Sequence, residues 1–201
     1  MHRRALVVTM AMTMAWTLAG CAKPPQAAID GAKQAIDAAR SAEAGTYAPD
    51  SSRTAEDATG RLDAELKAQN QKPAILRSYK TTTELSEAAQ VAAQKAVVDA
   101  DAGKQKVRQE ATLAIESTRE AAGQARAAVG KLPKSAAAQA ARQPIEADLA
   151  AAEAVLADAQ SALAAGKLTD ARTKAEAASG FVSKAKAGLD AAPRGVPTHR
   201  R

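Results

Sequence analysis

The chain has 201 residues with 28 Lys+Arg against 22 Asp+Glu, a formal net charge of +6, and only 2% aromatic residues. One cysteine rules out an intramolecular disulfide framework. The near absence of aromatics removes the stacking platform that single-stranded nucleic acid requires, so nucleic acid is not an expected partner.

The N-terminus carries Arg3 and Arg4, then an uncharged run from Ala5 to Leu18, then Ala19-Gly20-Cys21. A basic start, a short apolar run and small residues before a cleavage point make a secretory signal peptide over 1–20. The run is too short to span a bilayer, which takes ~20 apolar residues. Leu18-Ala19-Gly20-Cys21 matches the lipobox of bacterial lipoproteins, which makes Cys21 the acylated residue of the mature chain and 21–25 a tether. One acyl chain binds a membrane marginally, whereas several on one residue hold it durably. Ala22 follows the cysteine in place of the aspartate that retains enteric lipoproteins at the inner membrane, so the expected place is the periplasmic side of the envelope, outer membrane favoured over inner. Cleavage removes Arg3 and Arg4 and leaves a mild basic bias, compatible with anionic lipid or peptidoglycan.

Alanine sets the fold class. It fills 56 of 201 positions while large aliphatic residues are sparse. Low aliphatic content usually points to disorder, but here the best helix former replaces the missing bulk, so the expectation is all-α with thin, closely packed seams. In chain order, a first helix is expected over 26–44, with Ile29, Ala32, Ile36 and Ala39 on one face. Gly45 and Tyr47 form a turn and Pro49 opens a second helix to about residue 69, with Ala55, Ala58, Leu62 and Leu66 on one face. These make a first hairpin over 26–70. A long helix follows over 73–131. A stripe runs along it through Leu85, Ala89, Ala92, Ala96, Ala100, Gly103, Val107, Ala111, Ala114, Thr118, Ala121, Ala125, Ala128 and Leu132, with a mean spacing near 3.6. Gly103 and Gly123 are candidate bends. A second hairpin is expected over 135–191: one helix from Ser135 to Ala164, its start open to resetting by Pro144, a turn at Gly166, and a last helix capped by Thr169. Residues 192–201 read as a basic, frayed tail. The whole is an elongated helical bundle, two hairpins joined by a long helix after the signal peptide.

Shifting the chain by 120 residues aligns Ala39, Ser41, Ala42, Ala44, Asp50, Ala55, Glu56, Ala58 and Gly60 with identical residues, and Leu62 with Val182. Alanine bias inflates this match, which is read as local similarity between the hairpins.

Cys21-Ala22-Lys23-Pro24-Pro25, then Ala38-Ala39-Arg40-Ser41-Ala42, Tyr47-Ala48-Pro49 and Ala55-Glu56 resemble a family of alanine-rich bacterial envelope lipoproteins whose domain has no known function. The resemblance covers roughly residues 21–110. It implies a location and a helical fold, and it carries no reaction.

Catalytic chemistry has little to build on. His2 leaves with the signal, His199 lies near the end, and Cys21 is blocked by acylation, so Ser–His, Cys–His and ordinary zinc sites are not expected. Glu84 and Glu87, one helical turn apart, could do acid–base work but read as a solvated face with Lys80. No catalytic residue, metal, cofactor or small-molecule substrate is assigned. Lys104, Lys106 and Arg108, together with Arg200 and Arg201 of the tail, are candidate contacts to an anionic surface. The expected function is that of a membrane-anchored lipoprotein without catalytic activity, in contact with peptidoglycan or an envelope protein. The alternative is a periplasmic chaperone or accessory factor for envelope assembly, which would need an exposed patch of large apolar residues.

Overall fold

The computed structural model describes residues 23–193. The lipobox, Cys21, Arg200 and Arg201 lie outside the described residues, as does all of the tail beyond Pro193. Six α-helices and one 3-10 turn make up the fold, and the described residues contain no strand: α1 (Gln26–Ser41), α2 (Ala44–Tyr47), α3 (Pro49–Gln71), the 3-10 turn Ala74–Leu76, α4 (Lys80–Gly130), α5 (Ala136–Ala164) and α6 (Leu168–Ala191). The all-α bundle expected from alanine content is thus the architecture, with one short helix more than the sequence suggested.

The spine is α4, unbroken for 51 residues. At 1.5 Å per residue it is about 76 Å long. Its first half packs against α1 and α3 and its second half against α5 and α6. Ala32, Leu62 and Ala89 form one cluster, and Ile36, Ala39, Ala55, Ala93, Ala96 and Ala100 another. These pairings make α1 parallel to α4 and α3 antiparallel to it. Beyond the middle, Ala111 meets Ala162 and Ala171, Ile115 meets Leu156 and Ala175, and Ala122 meets Leu149 and Val182. Here α5 is antiparallel to α4 and α6 parallel. Each half is a three-helix bundle that borrows half of one helix.

Several expectations shift. The expected start of the long helix at residue 73 moves to Lys80, because Pro73 opens a 3-10 turn instead. Pro144 does not reset α5, which runs through it from Ala136. Its ring and the Ala140 carbonyl that it leaves without an amide partner are on the exposed side, where water can bond that carbonyl. Ser135 caps α5 by accepting the Ala138 amide at 3.3 Å. Thr169 does not cap α6, which starts one residue before it and has no side-chain cap. The first hairpin differs most: α1 and α3 scarcely touch directly and are held together through α4, whereas α5 and α6 pack closely along their length.

The α4 stripe is also more structured than a uniform period. Its buried residues are Thr82, Ser86, Ala89, Ala93, Ala96 and Ala100, then Ala111, Ile115, Thr118, Ala122, Ala125 and Val129. Each group alternates steps of four and three, the 3.5-residue coiled-coil spacing, and an 11-residue step between Ala100 and Ala111 restores the 3.6 average. The two groups mirror one another about a point between Gln105 and Lys106. The 120-residue similarity extends accordingly: Ile29, Ala32, Ile36 and Ala39 are buried in α1, and their equivalents Leu149, Ala152, Leu156 and Ala159 are buried in α5. Ala55 and Leu62 correspond to buried Ala175 and Val182. The two halves therefore share buried register and helix directions reversed about the waist of α4, but not their packing, because α5 and α6 touch along their length and α1 and α3 do not.

Candidate functional site

Of the residues singled out from the sequence, Tyr47, Lys104, Arg108 and Gly166 meet at that waist, and Gly45, Pro49 and Lys106 do not line it. The α2 turn arrives from one bundle and the Gly166 turn from the other, and between them lies a cleft of ≈ 420 Å³ lined by Glu43, Tyr47, Asp101, Lys104, Gln105, Arg108, Gly166 and Leu168. Both turns use left-handed backbone, at φ +57° for Glu43 and φ +74° for Gly166. Gly166 is the residue type that such a turn favours. In the first turn the left-handed position falls to Glu43 and not to Gly45, which sits exposed within α2. Pro49 is the first residue of α3, where its missing amide hydrogen leaves no bond unmade.

Tyr47 is half-buried and its carbonyl oxygen lies over Gly103. A Cβ at residue 103 would come 2.1 Å from that oxygen, so glycine here is a contact requirement. The sequence raised Gly103 as a bend; the structure keeps α4 continuous through it. An isolated glycine in a helical pattern was the available signal for a close approach.

The basic cluster is divided by the helical turn. Lys104 and Arg108, four residues apart, both line the cleft. Lys104 Nζ pairs with Glu43 Oε1 at 3.4 Å and sits 5.4 Å from the centre of the Tyr47 ring. Lys106 points elsewhere and pairs with Glu110 at 3.9 Å, which also receives Arg172 of α6 at 3.3 Å. Arg108 is exposed. With Glu43 and Asp101 facing Lys104 and Arg108, the cleft has balanced charge and suits a polar protein or glycan contact better than a purely anionic one. Phe181 is half-buried against the core of Ala122, Leu149 and Val182, with Lys184 Nζ 5.2 Å from its ring centre.

A carboxylate near the waist is tuned. Asp99 is held below its ordinary pKa of 3.8, first by the hydrogen bond from Lys95 Nζ at 2.6 Å and then by the Ser51 hydroxyl of α3. A lowered pKa keeps the group ionised, which fits a structural link between α3 and α4 rather than a general acid. Glu84 pairs with Lys80 at 4.0 Å, as expected of a solvated face. Among the described residues no group of three or more His, Cys, Asp or Glu is placed to hold a metal ion, and no helix is long and apolar enough to cross a membrane. Comparison with protein-family models, with curated proteins and with solved structures finds no match.

Proposed function

We propose that the chain is a lipid-anchored periplasmic spacer: acyl groups on Cys21 hold one end at the envelope membrane, outer membrane favoured, and the helical body carries a non-catalytic contact surface away from it. The observation that carries this reading is the topology. α1 starts at the Lys80 end of α4 and α6 ends at the Gly130 end, so the described residues begin and end at opposite poles of a spine about 76 Å long. A tether at one pole and a basic tail at the other suit a link between membrane and cell wall or an envelope protein. Apart from the adjacent pair Ile75–Leu76 at one pole, the exposed large aliphatics, Val91, Val98 and Leu113, stand singly along α4. Such isolated side chains favour a spacer over a chaperone that cradles clients.

Labelled palmitate and membrane fractionation test the anchor. Wild-type chain is expected to incorporate label and sediment with membranes, and Cys21→Ser to lose the label. Membrane association of unlabelled wild-type chain overturns the reading. Crosslinking in whole envelopes then identifies what the far pole touches.

A further inference from the structure

The Lys80 pole carries an unusual surface. Ile75 is 87% exposed and Leu76 64%, adjacent large aliphatics in an ordered 3-10 turn. The turn is pinned from behind. Arg77 Nε donates to the Lys72 carbonyl at 3.0 Å and Nη2 to the Asn70 carbonyl at 3.3 Å. Gln69, itself buried, accepts the Ser78 amide at 3.0 Å and donates to Glu65 at 2.7 Å. Tyr79 is buried beside it. The two aliphatics are therefore held outward by a rigid frame, with no neighbour to cover them.

Charge and chain path say what covers them. Residues 65–84 contain Lys67, Lys72, Arg77 and Lys80 against Glu65, which accepts from Gln69, and Glu84, which pairs with Lys80, so the pole keeps a net positive charge. Gly31 of α1 faces Gln90, and the helices are parallel, so Gln26 lies level with about Leu85. The N-terminal chain thus leaves α1 about 7 Å short of the start of α4. Five residues from Gln26 to Cys21 reach up to ~18 Å, enough to bring an acylated Cys21 level with the 3-10 turn or past it.

We propose that Ile75 and Leu76 form a wedge that enters the headgroup region of an anionic phospholipid bilayer, with the exposed Lys67 and Lys72 on the lipid phosphates. The inference rests on the anchored reading above. It adds a protein–lipid contact that fixes the orientation of the rod, which a single point of attachment does not. Apolar insertion flanked by cations is how interfacial elements bind anionic membranes, each cation contributing about fivefold in affinity.

Cys21 is the sole cysteine, so in the acylated chain a thiol introduced elsewhere can be labelled alone. Ile75→Cys and, at the other pole, Gly130→Cys would carry an environment-sensitive fluorophore, with the chain in vesicles of phosphatidylethanolamine and phosphatidylglycerol. The label at 75 is expected to shift to the blue and to be quenched by lipids bearing nitroxides near the headgroup. The label at 130 is expected to keep its water-like emission. Replacing phosphatidylglycerol by phosphatidylcholine should return the label at 75 towards the water-like value. Flotation with the vesicles reports the anchor separately. A chain that floats while residue 75 stays water-like overturns the wedge and leaves the anchor standing; a chain that does not float overturns both.

Discussion

Two glycines of α4 have opposite meanings. A Cβ at Gly103 would collide with the Tyr47 carbonyl at 2.1 Å, and backbone cannot swing aside as a side chain can. Gly103→Ala should therefore destabilise the fold by about 2 kcal/mol, an overpacking cost that outweighs the helix-propensity gain. Gly123 has open space around its Cβ direction, and Gly123→Ala should stabilise by up to about 1 kcal/mol. Urea denaturation of the two variants checks both signs. Asp99 gives a pH prediction. Its pKa is lowered in the folded chain, so its contribution to stability is complete above the ordinary value of 3.8 and is lost as pH falls through the folded value. Ser51→Ala should raise the Asp99 pKa towards 3.8 without reaching it, because the stronger Lys95 bond remains; carboxyl NMR titration measures this.

At the scale of elements, one pair of mirror positions in α4 carries residues of very different size. Ala96 lies in the seam with Ile36 and Ala55, and its mirror partner Ile115 packs with Leu156 and Ala175. Small residues allow close helix approach, and larger ones set helices apart. Ala96→Ile should cost about 1–3 kcal/mol by overpacking, and Ile115→Ala about 2–5 kcal/mol by leaving a cavity. Thermal unfolding of the two variants would establish that the first bundle is held by proximity and the second by filled volume. α1 and α3 are not a self-sufficient hairpin: Ile36 and Leu62 both pack into clusters completed by alanines of α4. In the second bundle, Ile145, Leu149 and Val182 add larger side chains to a core shared with Ala122, Ala125 and Val129 of α4.

The whole molecule should be long. A uniform rod with the length of α4 has a radius of gyration of roughly 22 Å, against about 16 Å for a compact domain of this size. Solution X-ray scattering of the mature chain is expected to give a maximum dimension of at least ~75 Å; a compact profile would require α4 to fold back at its waist. Residues 101–110 of α4 include no buried residue, so the waist is held by the Gly103 contact and by ion pairs from both sides rather than by a core.

Alanine content and the breakers Gly45, Pro49, Pro73, Gly130, Pro133 and Gly166 by themselves determined an all-helical chain and, within a few residues, most helix ends. Intrinsic propensity and the loss of an amide donor act locally, so they are legible without a partner. The lipobox is likewise a local signal. The inward alanines of the shorter helices, Ala32, Ala39 and Ala55, were legible, but those of α4 only in part, because a long alanine-rich helix offers small-residue stripes on several faces. The sequence stripe shares Ala89, Ala96, Ala100, Ala111, Thr118 and Ala125 with the buried set, but its Ala92, Ala114 and Ala121 are only half-buried, since α4 is covered from two directions. The meeting of the Tyr47 and Gly166 turns, the partner of Lys104 and the exposure of Ile75 and Leu76 depend on which helices lie side by side. Only tertiary packing decides that, because each of these contacts joins residues far apart in the chain, and no local preference records them.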